Sequence, residues 1–150
     1  MRLARTRFLF SAAVLAATAL PAQSKPDFSG TWKLNIEKSD LGGAPIESLK
    51  VVIEQKDPQF KYTATGSAGG QNFEETETIT TDGKPGQDSH GNTSTAHWDG
   101  ATLVGEVSAP DGTPLFTSRL TMSADGKTCT RDYAPTSDDQ PKRHEIYEKQ

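Results

Sequence analysis

Four Asp-Gly pairs, at 82–83, 99–100, 111–112 and 125–126, punctuate the second half of this 150-residue chain at intervals of 17, 12 and 14 residues. Asp-Gly supplies the positive φ that two-residue hairpin turns require, so its recurrence at hairpin spacing predicts consecutive antiparallel strands. Gly66-Ser-Ala-Gly-Gly70 and Asp57-Pro58 add two further turn signals upstream.

The segments between the turns are rich in Thr, Val, Ile, Phe, Tyr and Trp, and they alternate instead of repeating every three to four residues. Leu49, Val51 and Ile53 share one face of a strand at 48–56, and Phe60, Tyr62 and Ala64 share one in the next. Further strands are predicted at 30–35, 71–81, 93–98, 101–108, 115–123, 127–134 and 142–149. A nine-stranded meander leaves two edges exposed unless it closes, and closure removes the exposed edges. The expectation is therefore an all-β chain, a single antiparallel meander barrel of eight to ten strands. One stretch breaks the pattern: Ile36 to Glu47 contains Gly42-Gly43 and Pro45, which exclude a long helix and predict a loop covering one barrel end.

The start of the chain is of another kind. Met1 to Arg7 holds three Arg and no acid, Phe8 to Leu20 is a mostly apolar run of 13, and small residues flank Ala22-Gln23-Ser24. This is the three-part pattern of a secretory signal, and the run is too short for a spanning helix. Residues 1–24 are thus expected to be a signal peptide, cut after Ser24 or after Ala22, and residues 25–150 the barrel domain, with no membrane span once the signal is gone. The expected address is the periplasm or the medium. Without the signal, 13 basic residues face 20 acidic ones, a formal −7, which disfavours nucleic acid and anionic lipid as partners. Cys129 stands alone in the mature chain, so no internal disulfide forms. Oligomeric state is not encoded in any of these features.

The mature chain opens with Asp27-Phe28-Ser29-Gly30-Thr31-Trp32-Lys33-Leu34-Asn35. Gly30 permits a bend and a close backbone approach, while Trp32 buries a large apolar area at a strand start. The string resembles the Gly-x-Trp start of the calycin superfamily, the lipocalins and fatty-acid-binding proteins. That resemblance implies a first strand whose Trp32, with Gly30, plugs the closed end of a β-barrel. It further implies a late-strand Arg stacked on that Trp; of Arg119, Arg131 and Arg143, Arg131 in Thr130-Arg-Asp-Tyr133 is the first choice. The pocket arginine pair of the fatty-acid-binding proteins is not placed by these motifs. The chain is similar, too, to small secreted bacterial proteins of acidobacterial type, through Phe28 to Asn35 with Lys38-Ser39, Trp98-Asp-Gly-Ala-Thr-Leu103, and Ser123-Ala-Asp-Gly-Lys-Thr-Cys-Thr130. Cys129 departs from that pattern, where an aliphatic residue is expected.

Signals for catalysis are weak. The serines lack a Gly-x-Ser-x-Gly setting, Cys129 lies mid-strand and reads as a buried, inert thiol, and Glu74, Glu75, Glu77, Asp138 and Asp139 read as solvated positions. His90, His97 and His144 match no zinc spacing, and Asp88-Ser-His-Gly-Asn92 fails the calcium-loop template, so no metal and no cofactor are expected. A barrel of this strand number is wide enough to keep an interior. The expectation is a non-enzymatic protein that binds a small apolar or amphipathic molecule, with Tyr62, Phe73, Phe116, Arg131 and Tyr133 as ligand-binding residues. The alternative is an envelope interaction module whose barrel is filled by its own side chains. N-terminal sequencing of exported protein tests the first step: the mature chain should begin at Lys25 or Gln23, and full-length protein in the cytoplasm would overturn the export reading.

Overall fold

The computed structural model describes residues 24–150, and the expected signal peptide, residues 1–24, lies almost wholly outside them. Ten strands form: β1 (Gly30–Leu34), β2 (Ile46–Lys56), β3 (Gln59–Ala68), β4 (Gln71–Thr80), β5 (Gly86–Gln87), β6 (Thr93–Asp99), β7 (Thr102–Ser108), β8 (Pro114–Met122), β9 (Thr128–Pro135) and β10 (Arg143–Lys149). They belong to one antiparallel sheet in the order β4-β3-β2-β1-β10-β9-β8-β7-β6-β5. The first and last strands pair, with Trp32 opposite Lys149 and Leu34 opposite Tyr147, so the meander curls into a nearly closed barrel. No helix among the described residues is long and apolar enough to cross a membrane.

The Asp-Gly grammar holds at three of its four sites. Gly100, Gly112 and Gly126 all take positive φ, in the turns of the β6–β7, β7–β8 and β8–β9 hairpins. The fourth pair does something else. Asp82-Gly83 follows β4, but β4 and β5 are the two edges of the sheet and no strand ladder joins them. The chain crosses the gap here, with Asp82 bridging to His97 and the Gly83 amide donating to the Ala96 carbonyl at 2.8 Å. β5, two residues long, is the strand that sequence did not predict.

Register fixes two ends. At one lie the β2–β3, β6–β7 and β8–β9 turns, at the other the β3–β4, β7–β8 and β9–β10 turns. The first end is plugged. Phe28 and Trp32 have no exposed surface, and Phe28 sits edge-on to Phe60 (centroids 6.4 Å apart) and stacked on Trp98 (6.2 Å). The Trp32 indole N–H donates to the Phe28 carbonyl at 2.8 Å, so the buried ring leaves no polar atom unsatisfied. Gln55 clamps the segment leading into β1: its side chain accepts from the Phe28 amide and donates to the Pro26 carbonyl.

The cation over Trp32 is not Arg131. Lys149 Nζ lies 5.4 Å from the Trp32 ring centroid, because the β1–β10 register sets those two residues opposite each other. Gly30, at φ 132°, leaves room for that lysine; a Cβ there would stand 3.0 Å from Lys149 Cε. The stretch after β1 forms no helix, as its Gly42-Gly43 and Pro45 predict. Residues 36–44 run along β10, tied by paired Asp40–His144 backbone hydrogen bonds of 2.9 and 2.8 Å and by the Ile146 amide donating to Ser39 Oγ. Leu41 packs against the core and Ile46, where β2 begins, lines the interior.

Replacing Trp32 by Ala removes a fully buried side chain and its indole hydrogen bond from the plug. The expected cost is about 3 to 5 kcal/mol in a denaturant melt. An unchanged midpoint would mean that the plug does not hold the barrel.

Candidate functional site

Above the plug the barrel is hollow. A cavity of about 530 Å3 opens toward the unplugged end. Its apolar wall comes from the inward alternation of β2 and β3, Val51 and Ile53 beside Phe60 and Tyr62, with Leu103 and Leu120 opposite. Tyr62, Phe73, Phe116, Arg131 and Tyr133, the residues singled out in the sequence, all line it. Phe73 is partly exposed near the mouth, and Phe116 packs on Tyr133 with ring centroids 4.9 Å apart.

Two polar groups interrupt this lining. The first belongs to β9 and β10. Glu145, 1% exposed, accepts from Arg131 Nη1 at 3.2 Å and from the Tyr147 hydroxyl at 2.8 Å, both on Oε2. Arg143 Nε comes within 3.4 Å of the other oxygen, yet it is buried without a hydrogen bond. The Arg143 guanidinium stands 4.1 Å from the centroid of the Tyr133 ring and that of Arg131 5.4 Å, so the phenol ring carries both cations. Two guanidiniums against one carboxylate leave this wall with an excess positive charge. Burial works against the Arg131 charge, but Glu145 and Tyr147 outweigh it and raise its pKa further. Burial, reinforced by the Glu145 charge, holds the Tyr147 hydroxyl protonated far above the usual range.

The second group faces the gap between the sheet edges. Glu75 and Glu77 point inward from β4, and Glu77 is buried, its Oε1 accepting from the Ser89 amide at 2.9 Å. His90 lies across the gap with Nδ1 3.8 Å from Glu75 Oε1. The loop that presents it is closed by Asp88, which accepts from the His90 and Asn92 amides and from the Asn92 side chain. Tyr62 stands between the two polar groups. Burial and then the Glu75 charge push its hydroxyl up to about 12, against the opposing pull of Arg131.

Sequence reading misses Glu77, Arg143, Glu145 and Tyr147. Alternation carries the signal: Phe73, Glu75, Glu77 and Ile79 share one face of β4, and Arg143, Glu145 and Tyr147 share one face of β10. Weighing charge ahead of period groups Glu77 with its solvated neighbours. Arg119, the remaining arginine considered for stacking, lies outside and pairs with Asp99 at 2.8 Å.

Comparison with known proteins bears on the fold. No family model matches the sequence, and no curated protein matches it. Solved structures do match in shape. A mutant of the fluorescent protein UnaG superposes with a TM-score of 0.58 at 16% identity, covering 81% of this chain and 95% of that one. The fold is a calycin-like barrel. Lipid binding protein 8 of Caenorhabditis elegans gives a TM-score of 0.56 at 9% identity, covering 82% of this chain and 95% of that one. Secretory abundant heat soluble protein 4 of Ramazzottius varieornatus gives 0.53 at 14%, covering 85% and 97%.

Cys129 also lines this calycin-like interior, 2% exposed, and burial pushes its thiol up to about 12. A thiol is reactive as thiolate, so the folded protein at about pH 8 should resist Ellman's reagent. Denaturation should release one reactive thiol per chain. Rapid labelling of folded protein would show that the thiol is neither buried nor protonated.

Proposed function

We propose that the protein is an exported, non-enzymatic carrier that holds one small amphipathic molecule inside the barrel. The observation that carries this reading is the cavity of about 530 Å3 with its unbalanced wall of Arg131, Arg143 and Glu145. The volume falls within the range of small-molecule sites. Apolar side chains from β2, β3, β7 and β8 accommodate the ligand's hydrocarbon body. An anionic head group meets the guanidinium of Arg143, which shares the single carboxylate of Glu145 with Arg131, and neutralises the excess charge. Lipid binding protein 8, named for what it binds, is similar in shape and supports the same reading. Catalysis draws no support from Cys129 or Glu145, because the thiol is held protonated and the carboxylate is engaged by Tyr147 and Arg131. Export is supported by the basic opening and apolar run of residues 1–24.

An environment-sensitive apolar dye should bind the purified protein saturably, about one per chain and in the micromolar range, and a fatty acid should displace it. Arg143→Gln should weaken the fatty acid about tenfold, the scale of one charge-assisted hydrogen bond, while a neutral dye keeps its affinity. Folded protein that binds neither would instead be the envelope interaction module.

A further inference from the structure

We propose that Glu75, Glu77 and His90 form a binding site for one divalent transition-metal ion, of the zinc type, which ties the two unpaired edges of the sheet together. One ligand atom from each of the three lies within 4.8 Å of the others. The donor set, two carboxylate oxygens and one imidazole nitrogen, suits zinc better than calcium or magnesium, which favour all-oxygen shells. Zinc bonds of about 2.0 to 2.2 Å place neighbouring ligand atoms about 3.3 Å apart, so the three need to draw in by up to about 1.5 Å. His90 is exposed on the loop between β5 and β6, its Nδ1 3.3 Å from Ser89 Oγ, a contact that metal binding through this nitrogen replaces.

Glu77 supplies the second, independent observation. Its side chain is more than nine-tenths buried, it faces the cavity, and among the described residues no cationic side chain pairs with it. One oxygen accepts the Ser89 amide; the other has no protein donor among the described residues. Arg131, the cation that shares Tyr62 with these carboxylates, is already bound to Glu145. A buried carboxylate without a counter-charge is costly, and proteins that keep one pair it or coordinate a metal with it. Glu75, two residues along the same inward face, adds a second negative charge to the same spot. The placement gives the ion a structural task as well. Glu75 and Glu77 belong to edge strand β4 and His90 to the segment beyond edge strand β5, so coordination spans the opening that no backbone ladder closes.

The test is calorimetric titration of zinc chloride into chelator-stripped purified protein, with melting curves alongside. One zinc per chain should bind in the micromolar range or tighter, and zinc at a hundredfold over Kd should raise the melting temperature by about 10 °C. Glu77→Gln and His90→Ala should each weaken binding at least tenfold and remove the rise. His90→Ala changes an exposed loop residue and keeps the fold, so it remains informative if Glu77→Gln destabilises the barrel. Absence of saturable binding, binding left unchanged in both variants, or a preference for calcium over zinc would each overturn the proposal. Dye binding by metal-free protein is scored separately, so failure here is distinguishable from failure of the carrier reading.

Discussion

Burial of Trp32 against Phe28 is the contact on which the rest of the barrel is arranged. Neither ring has exposed surface, and the indole's polar atom is satisfied by the backbone of Phe28 itself. Two consequences follow from putting so much aromatic volume at one end. The floor packs densely through Phe60 and Trp98, so the chain gains its apolar burial there. The upper barrel is then released from having to fill itself, and β2, β3, β7 and β8 can hold their inward side chains apart. Lys149 and Gln55 act on the same floor, one covering the Trp32 ring and the other clamping the segment that delivers Phe28.

Closure is unequal around the wall. Between β1 and β10 it is made by a backbone ladder; between β4 and β5 it is made by an isolated bridge, a turn hydrogen bond and the Ser89–Glu77 contact. A sheet edge with unpaired backbone groups invites other strands to pair with it. Here the exposed edge strand β5 is two residues long, and charged side chains crowd β4. Both are devices that blunt an edge.

Much of this is legible in the sequence because turn chemistry and alternation are local. Asp99-Gly100, Asp111-Gly112 and Asp125-Gly126 turn hairpins where their positive φ predicts. Period two puts Tyr62, Phe73 and Phe116 on inward faces. What fails depends on which strand sits beside which. Asp82-Gly83 has the same local chemistry as its three counterparts, yet it spans the gap, and nothing within the dipeptide distinguishes a hairpin from an edge crossing. The cation over Trp32 is a matter of pairing too: the β1–β10 register brings Lys149 there in place of Arg131. Glu77 and Glu145 are charged residues at inward positions, and charge argues for the surface until the period of the whole strand is weighed against it.

The inward charges also explain a composition that reads two ways. About 27% of residues 25–150 are hydrophobic, which suits either a hollow barrel or a narrow packed one. A packed interior would place aliphatic residues where β4 and β10 carry Glu75, Glu77, Arg143 and Glu145. Well-packed apolar substitutes for buried ion pairs are often neutral or stabilising, so stability alone gives little reason to retain this arrangement. Arg143 is the sharpest case: its side chain lines the cavity, and its enclosed Nε, 3.4 Å from Glu145, makes no hydrogen bond. Buried charges of this kind disfavour the apolar collapse that would erase about 530 Å3 of space. Charged side chains at these inward positions cost stability without filling the space, which is the arrangement expected of a hollow barrel and not of a packed core.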